Sequence, residues 1–167
     1  IIKLARLETR PNALKPEGIF LFLGPAGVGK SFVAARIAEY LFGSPEKLRV
    51  IDLAGYKKAD DAGRLVNGED EGGAGALVSE IESHPFSVIL FENIDEAHAA
   101  VLYFLGKALS KGEISDRFGK KHFLANIIFI LSLTGIGEAK KDSAIGFVNG
   151  ESRSAGVVIA PKIMNVL

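Results

Sequence analysis

Eight residues, GPAGVGKS from Gly24 to Ser31, most narrow what this chain can fold into. They follow the apolar run GIFLFLG and precede SFVAARIAEYLFG. A continuous apolar run closed by glycine and proline predicts a strand buried on both faces. In the second segment Val33, Ile37, Tyr40 and Leu41 fall on one side at helical spacing, and Gly43 stands where a helix would stop. Strand, loop and helix in that order fit G-x-x-x-x-G-K-[ST] without a gap. Gly24, Gly27 and Gly29, with Pro25, Ala26 and Val28 between them, let the backbone curl so that successive N–H groups converge on phosphate oxygens at the positive end of the helix. Lys30 is expected to reach the β- and γ-phosphates, and the Ser31 hydroxyl to hold Mg²⁺. A plain glycine-rich turn beside a surface lysine is the competing reading, and it leaves the register of the three elements unexplained.

Three more apolar runs, LRVIDL, SVILFE and NIIFILSL, read as buried strands, separated by segments long enough for crossover helices. Strands alternating with helices predict an α/β fold, a parallel sheet with helices on both faces. Two stretches, Arg64 to Ala76 (RLVNGEDEGGAGA) and Lys140 to Gly156, are polar or glycine-punctuated and read as exposed loops. GVVIA, Gly156 to Ala160, is compatible with a strand, a packed loop or part of a further element.

FENIDEAH, Phe91 to His98, ends the apolar run SVIL with an acid and then an amide. A phosphate-loop protein places an aspartate at the end of a second buried strand to hold the metal. Glu92 can ligate Mg²⁺ through water, but Asn93 cannot accept a proton at neutral pH. Asp95 and Glu96 are expected to be acids at a helix N-terminus, favoured by the helix dipole, with a displaced catalytic base at Asp95 as the alternative. His98 has no second histidine or cysteine at ligand spacing and is expected to be a packed or surface side chain with no catalytic role.

Composition excludes several classes of function. The 167 residues are 48% hydrophobic and 24% charged, enough for one domain with a real core. Twenty basic and twenty acidic side chains leave zero formal charge, so no overall field favours nucleic acid or an anionic membrane. The absence of cysteine excludes disulfides and thiolate metal sites and suits a reducing compartment. No apolar run is long enough to span a bilayer, and the expectation is a soluble intracellular domain. An abrupt start at IIKLARLETR and an end inside PKIMNVL suggest a piece of something longer.

The blocks GIFLFLGPAGVGKS, LFGSPEKLRVIDLAGY, HPFSVILFENIDEAH, KGEISDRFGKKHF and NIIFILSLT together resemble the second ATPase domain of the Clp unfoldases and disaggregases, within AAA+, from about Pro16 to Phe147. The resemblance implies a five-stranded parallel AAA+ P-loop NTPase core, with residues 1–167 forming the large nucleotide-binding subdomain and the small subdomain lying outside the chain. It also implies ATP or ADP with Mg²⁺ at a subunit boundary of a homo-hexamer. By position, Lys30 and Ser31 match the phosphate-loop pair, Glu92 the metal-binding aspartate, Asn93 the catalytic glutamate, and Thr134 the sensor-1 asparagine. Where relatives carry a longer loop with a substrate-gripping aromatic, this sequence has only LVNGED before Glu71, and Gly68, Glu69 and Asp70 offer no apolar bulk. Arg153 is expected to be a solvated loop residue rather than an arginine finger. Asn93 and the shortened loop also resemble the plant SMAX-like branch, repressors of strigolactone and karrikin signalling, which implies signalling partners and a nuclear location; otherwise the location is cytoplasmic or organellar.

Three functions follow as expectations. The first is a nucleotide-binding scaffold with weakened hydrolysis that acts through protein contacts. The second is a working ATPase module of a Clp-type chaperone or unfoldase ring. The third is a structural domain whose pocket binds no nucleotide.

Overall fold

The computed structural model describes residues 14–68 and 73–134. Four parallel strands form the main sheet: β1 (Gly18–Leu23), β2 (Leu48–Asp52), β3 (Ser87–Glu92) and β6 (Ile127–Leu133), in the spatial order β1-β6-β3-β2. All four apolar runs are therefore strands, as the sequence predicts. The fifth strand implied by the resemblance is not among the described residues, and GVVIA, Arg153 and the polar stretch 140–156 lie outside them. A short antiparallel hairpin, β4 (Glu113–Ser115) with β5 (Lys121–Phe123), stands apart from the sheet.

Helices cover both faces. The α1 helix (Lys30–Phe42) lies on one face; α2 (Asp61–Val66), α3 (Ala76–Ser83) and α4 (Ala99–Lys111) lie on the other. The two-residue period of the strands divides the core accordingly. Val88, Leu90, Ile128 and Ile130 pack against Ala34 and Ala38 of α1, whereas Ile89, Phe91, Phe129 and Leu131 meet Leu77, Val78 and Ile81 of α3 and Val101 and Leu105 of α4. Phe91 and Phe129 stack with ring centroids 6.0 Å apart. β6 is buried along its whole length, because it has strands on both sides and helices on both faces.

Three expectations about burial need correction. Neither β1 nor β2 is buried on both faces: each pairs with only one strand among the described residues, and Ile19 and Phe20 of β1 and Val50 of β2 are exposed. The buried stripe of α1 is centred on Ala34 and Ala38 with Ile37 and Leu41 beside it; Val33 is 47% and Tyr40 88% exposed. Alanine wins the contact because small side chains let the helix lie close to the strands. The stretch beginning at Arg64 is not all exposed loop, since Leu65 and Val66 complete α2 and are buried. Beyond α2 the chain turns back on itself, with Gly68 N–H donating to the Gly73 carbonyl and Asn67 bridging Ala74. Gly68 belongs to this turn; Glu69, Asp70, Glu71 and Gly72 lie outside the described residues.

Candidate functional site

Because the four strands run parallel, their C-terminal ends share one edge of the sheet, where open α/β sheets bind ligands. β1 delivers the loop Gly24–Ser31, β3 ends in Glu92 followed by Asn93, β2 ends in Asp52, and Thr134 follows β6.

The loop has the geometry of a cradle. Gly27 and Gly29 have φ of 78° and 93°, in the left-handed region that favours glycine, and a Cβ at either position would meet open space. What these glycines provide is therefore backbone direction rather than relief from a clash. Gly29 is the N-cap of α1, where no side chain supplies a cap and no acid stands in the first turn. The first N–H groups of the helix thus lack a side-chain partner from its own cap, and no acid of its own first turn offsets the positive end of the dipole. Lys30 Nζ donates to the carbonyls of Gly24 (2.7 Å) and Pro25 (2.9 Å), which folds the ammonium back over the loop.

Across the sheet edge, the Ser31 hydroxyl donates to Glu92 Oε1 at 2.5 Å. Residues 61 positions apart in sequence are thereby brought together, and they are the two predicted Mg²⁺ positions. Two hard oxygen donors beside the loop suit Mg²⁺, which prefers one or two protein oxygens and otherwise keeps water and phosphate. A helix N-terminus without a side-chain cap, a lysine and this oxygen pair together fit a nucleoside phosphate with Mg²⁺.

Asn93 adopts φ 54° and ψ 42°, and no other non-glycine residue among the described residues has positive φ. Its Nδ2 donates to Asp52 Oδ1 at 2.9 Å, and its Oδ1 lies 3.5 Å from Thr134 Oγ1. Asn93 and Thr134, paired only by the resemblance, are thus neighbours in space. Asp52 Oδ1 also accepts from Ala54 N–H at 2.9 Å. That backbone bond first, and the Asn93 amide second, hold the Asp52 carboxyl below its ordinary pKa against the opposing effect of burial.

Asp95 and Glu96 are first-turn acids of a short 3-10 helix and not of α4. They sit in a separate 3-10 turn, Ile94–Glu96, and α4 begins at Ala99 with no acid in its first turn. Asp95 Oδ1 lies 3.5 Å from the backbone N–H of Thr134, and Glu96 pairs with Lys57 at 3.1 Å. His98 is the N-cap of α4: its Nδ1 accepts from Ala100 N–H at 3.1 Å, and its own N–H donates to the Tyr56 carbonyl. Cap residues are usually Ser, Thr, Asp or Asn, so spacing alone gave no sign of this role.

Sequence reasoning missed Asp52. A signal was present, since LRVIDL ends in an acid just as SVILFE does, and parallel pairing places Asp52 opposite Glu92. Among the described residues no group of three or more His, Cys, Asp or Glu side chains could hold a metal, and no helix is long and apolar enough to cross a membrane.

The sequence model of a family described as "AAA domain (Cdc48 subfamily)" matches residues 15–155. The "Negative regulator of genetic competence ClpC/MecB" of Bacillus subtilis is 36% identical over 140 residues, covering 80% of this chain and 17% of that protein. The "Probable chaperone protein ClpB 1" of Chlorobaculum tepidum is 35% identical over 149 residues, 86% of this chain and 33% of that protein. The "ATP-dependent Clp protease ATP-binding subunit ClpE" of Lactococcus lactis is 32% identical over 170 aligned residues, 93% of this chain and 22% of that protein. The chain therefore spans a third or less of the length of these relatives.

Proposed function

The chain belongs to the AAA family and is of the Clp type, and from that premise we propose that it binds ATP or ADP with Mg²⁺ and acts mainly as a nucleotide-dependent scaffold for protein contacts, with hydrolysis weakened. In this reading the N–H groups from Gly27 to Ser31 hold the phosphates. Lys30 exchanges its loop carbonyls for phosphate oxygens, and Ser31 with Glu92 holds Mg²⁺. The bound metal would supply charge neutralisation at the phosphate oxygens. Asn93 occupies the position expected of the base, and Thr134 lies beside it as the second polar group.

The observation that carries the reading is the state of Asn93: its amide nitrogen is engaged by Asp52, and its remaining oxygen has no basicity at neutral pH. A carboxylate there would polarise water; an amide orients its neighbours and stops at that. The shortened segment around Gly68 supports the same conclusion, because LVNGED supplies no aromatic side chain to push on a polypeptide.

The expected contacts are with other protein subunits, a homo-hexamer of the longer protein among them. The narrower likeness to the SMAX-like branch, with its signalling partners and nuclear location, draws no support from the relatives named above, whose printed names describe bacterial Clp and competence proteins. The competing function is an active ATPase module of a Clp-type chaperone or unfoldase, and its specific support is Asp95, whose carboxylate stands near Thr134.

Two measurements on one sample separate these readings. MgATP at a hundred times its dissociation constant should stabilise the chain by about 2.7 kcal/mol, visible as a rise in Tm, while phosphate release stays at background. Steady-state phosphate release that Lys30→Ala abolishes and Asp95→Asn sharply lowers would favour the ATPase reading instead. Absence of any nucleotide-induced rise in Tm would reject both.

A further inference from the structure

The β4–β5 hairpin leaves the outer edge of β4 unpaired among the described residues. Antiparallel strands alternate between residue pairs that exchange hydrogen bonds and pairs that do not. Leu124 N–H donates to the Gly112 carbonyl at 2.9 Å and Asp116 N–H to the Lys120 carbonyl at 3.0 Å, with Ile114 opposite His122 midway between them. The bonded positions are therefore 112, 114 and 116. Glu113 and Ser115, opposite Phe123 and Lys121, turn their N–H and C=O groups away from β5, and these groups bond to no other described residue.

The same two residues, with Ile114, line a cleft of about 230 Å³ between β4 and the C-terminal half of α4. Its floor is apolar: Ala108 and Ile114 are buried, and Phe104 is half-buried. Its rim is basic. Lys107 is held there with Nζ 4.9 Å from the centroid of the Tyr103 ring, and Lys111 stands in the last turn of α4; both are exposed, and neither has a carboxylate partner among the described residues. Glu113, the acid among the lining residues, is already neutralised by Lys121 at 3.0 Å.

An unpaired edge, an apolar floor and a positive rim specify one kind of occupant. An extended peptide satisfies the outward N–H and C=O groups by adding a strand, and its alternate side chains then fall on the cleft. Lys107 and Lys111 favour acids beside the apolar anchor. The same charge argues against this chain's own first residues, or those of a second copy, because IIKLARLETR sets Lys3, Arg6 and Arg10 against Glu8 alone.

We propose that β4 and its cleft dock an extended acidic segment of a partner protein, which joins the hairpin as a further strand, seats an apolar side chain against Phe104, Ala108 and Ile114, and sets carboxylates against Lys107 and Lys111. The inference rests on the scaffold reading, in which the domain acts through protein contacts, and deepens it by naming where such a contact forms. None of these residues belongs to the phosphate site, so docking needs no nucleotide.

The test is selection of a random peptide library on the whole chain without nucleotide, followed by titration of the selected peptides. These should alternate apolar residues with Asp or Glu. Ser115→Pro removes an N–H that the hairpin itself does not use, so β4 still pairs with β5, and it should weaken the selected peptides by about tenfold or more. Lys107→Glu with Lys111→Glu should weaken them by a similar factor; both lysines are exposed, so this variant keeps the fold and serves even where Ser115→Pro does not. In amide-resolved spectra of the wild-type chain, the peptide should shift the Glu113 and Ser115 N–H groups and slow their exchange, while the Ile114 N–H, already bonded across the hairpin, exchanges slowly throughout. Selection that yields no peptide above background, or peptides without acids, would overturn the proposal. So would peptides that bind a folded Ser115→Pro as tightly as wild type, because attraction to the rim charge would then act without an added strand. Phosphate release by wild-type protein would instead defeat the scaffold reading and leave these binding measurements untouched.

Discussion

Ser31 and Glu92 show how much a single pair of side chains can carry. The hydroxyl and carboxylate meet at 2.5 Å although one opens a helix and the other ends a strand. Removing the hydroxyl with Ser31→Ala should leave nucleotide binding without Mg²⁺ nearly unchanged and weaken the Mg²⁺-dependent part, because one hard ligand is lost while the N–H groups of the loop remain. Titrating a fluorescent adenine nucleotide with and without Mg²⁺ checks this, and equal weakening in both conditions would count against Ser31 as a metal ligand. Lys30→Ala should abolish the rise in Tm on adding MgATP at concentrations that stabilise wild type, since the ammonium that the proposed site offers to the phosphates is removed. The loop pattern made these residues legible in the sequence. Asp52 was not legible, because its importance comes from a neighbour 41 residues away.

At the scale of elements, α1 joins the core to the cradle. Ala34 and Ala38 are fully buried against Val88, Leu90, Ile128 and Ile130, so the helix is held close to the sheet along the face that also fixes where its N-terminus points. Ala38→Leu should destabilise the fold by about 1–3 kcal/mol through overpacking. It should weaken nucleotide binding as well, because a helix pushed off the sheet carries Gly29 and Lys30 with it. Chemical unfolding and a nucleotide titration on the same protein check both parts. Apolar spacing had pointed to Val33 and Tyr40 as the buried stripe; the packing selected small residues instead, and a count of apolar side chains is blind to distance between backbones.

The β4–β5 hairpin is fastened to α3 by a different device. His122 is buried between two carboxylates, with Nε2 3.3 Å from Asp116 and Nδ1 3.5 Å from Glu82, and Lys120 pairs with Glu82 at 2.5 Å. The Lys120 ammonium, ahead of an opposing burial effect, holds the Glu82 carboxyl below its ordinary value. At Asp116 burial acts upward but is outweighed by the Lys120 and Phe118 backbone N–H groups and by His122, so its carboxyl is also depressed. Groups whose folded pKa lies below the unfolded one contribute stability that is present above the unfolded value and lost as pH falls through the folded value. Stability measured by urea unfolding should therefore decline as pH drops through and below the ordinary carboxylate range. Glu82→Gln together with Asp116→Asn should flatten that decline.

Across the whole molecule, one sheet supplies both the core and the site. Phe129 at the centre of β6 stacks on Phe91 and is fully buried, so Phe129→Ala should cost about 3–5 kcal/mol, enough to lower Tm markedly in a domain of this size. Because β6 and β3 also deliver Thr134 and Asn93, the same variant should bind nucleotide less tightly even where it remains folded.

The amino-acid sequence by itself determined the four strands, their alternation with helices, the phosphate loop and the candidate metal pair, since each is written locally as an apolar run, a glycine spacing or an acid at a strand end. Tertiary structure alone decided which strands stand at the edge, which face of α1 is buried, that His98 caps a helix and that Asp52 holds Asn93. Those outcomes depend on which backbones lie side by side, and strand order brings together residues whose separation along the chain conceals that they will meet.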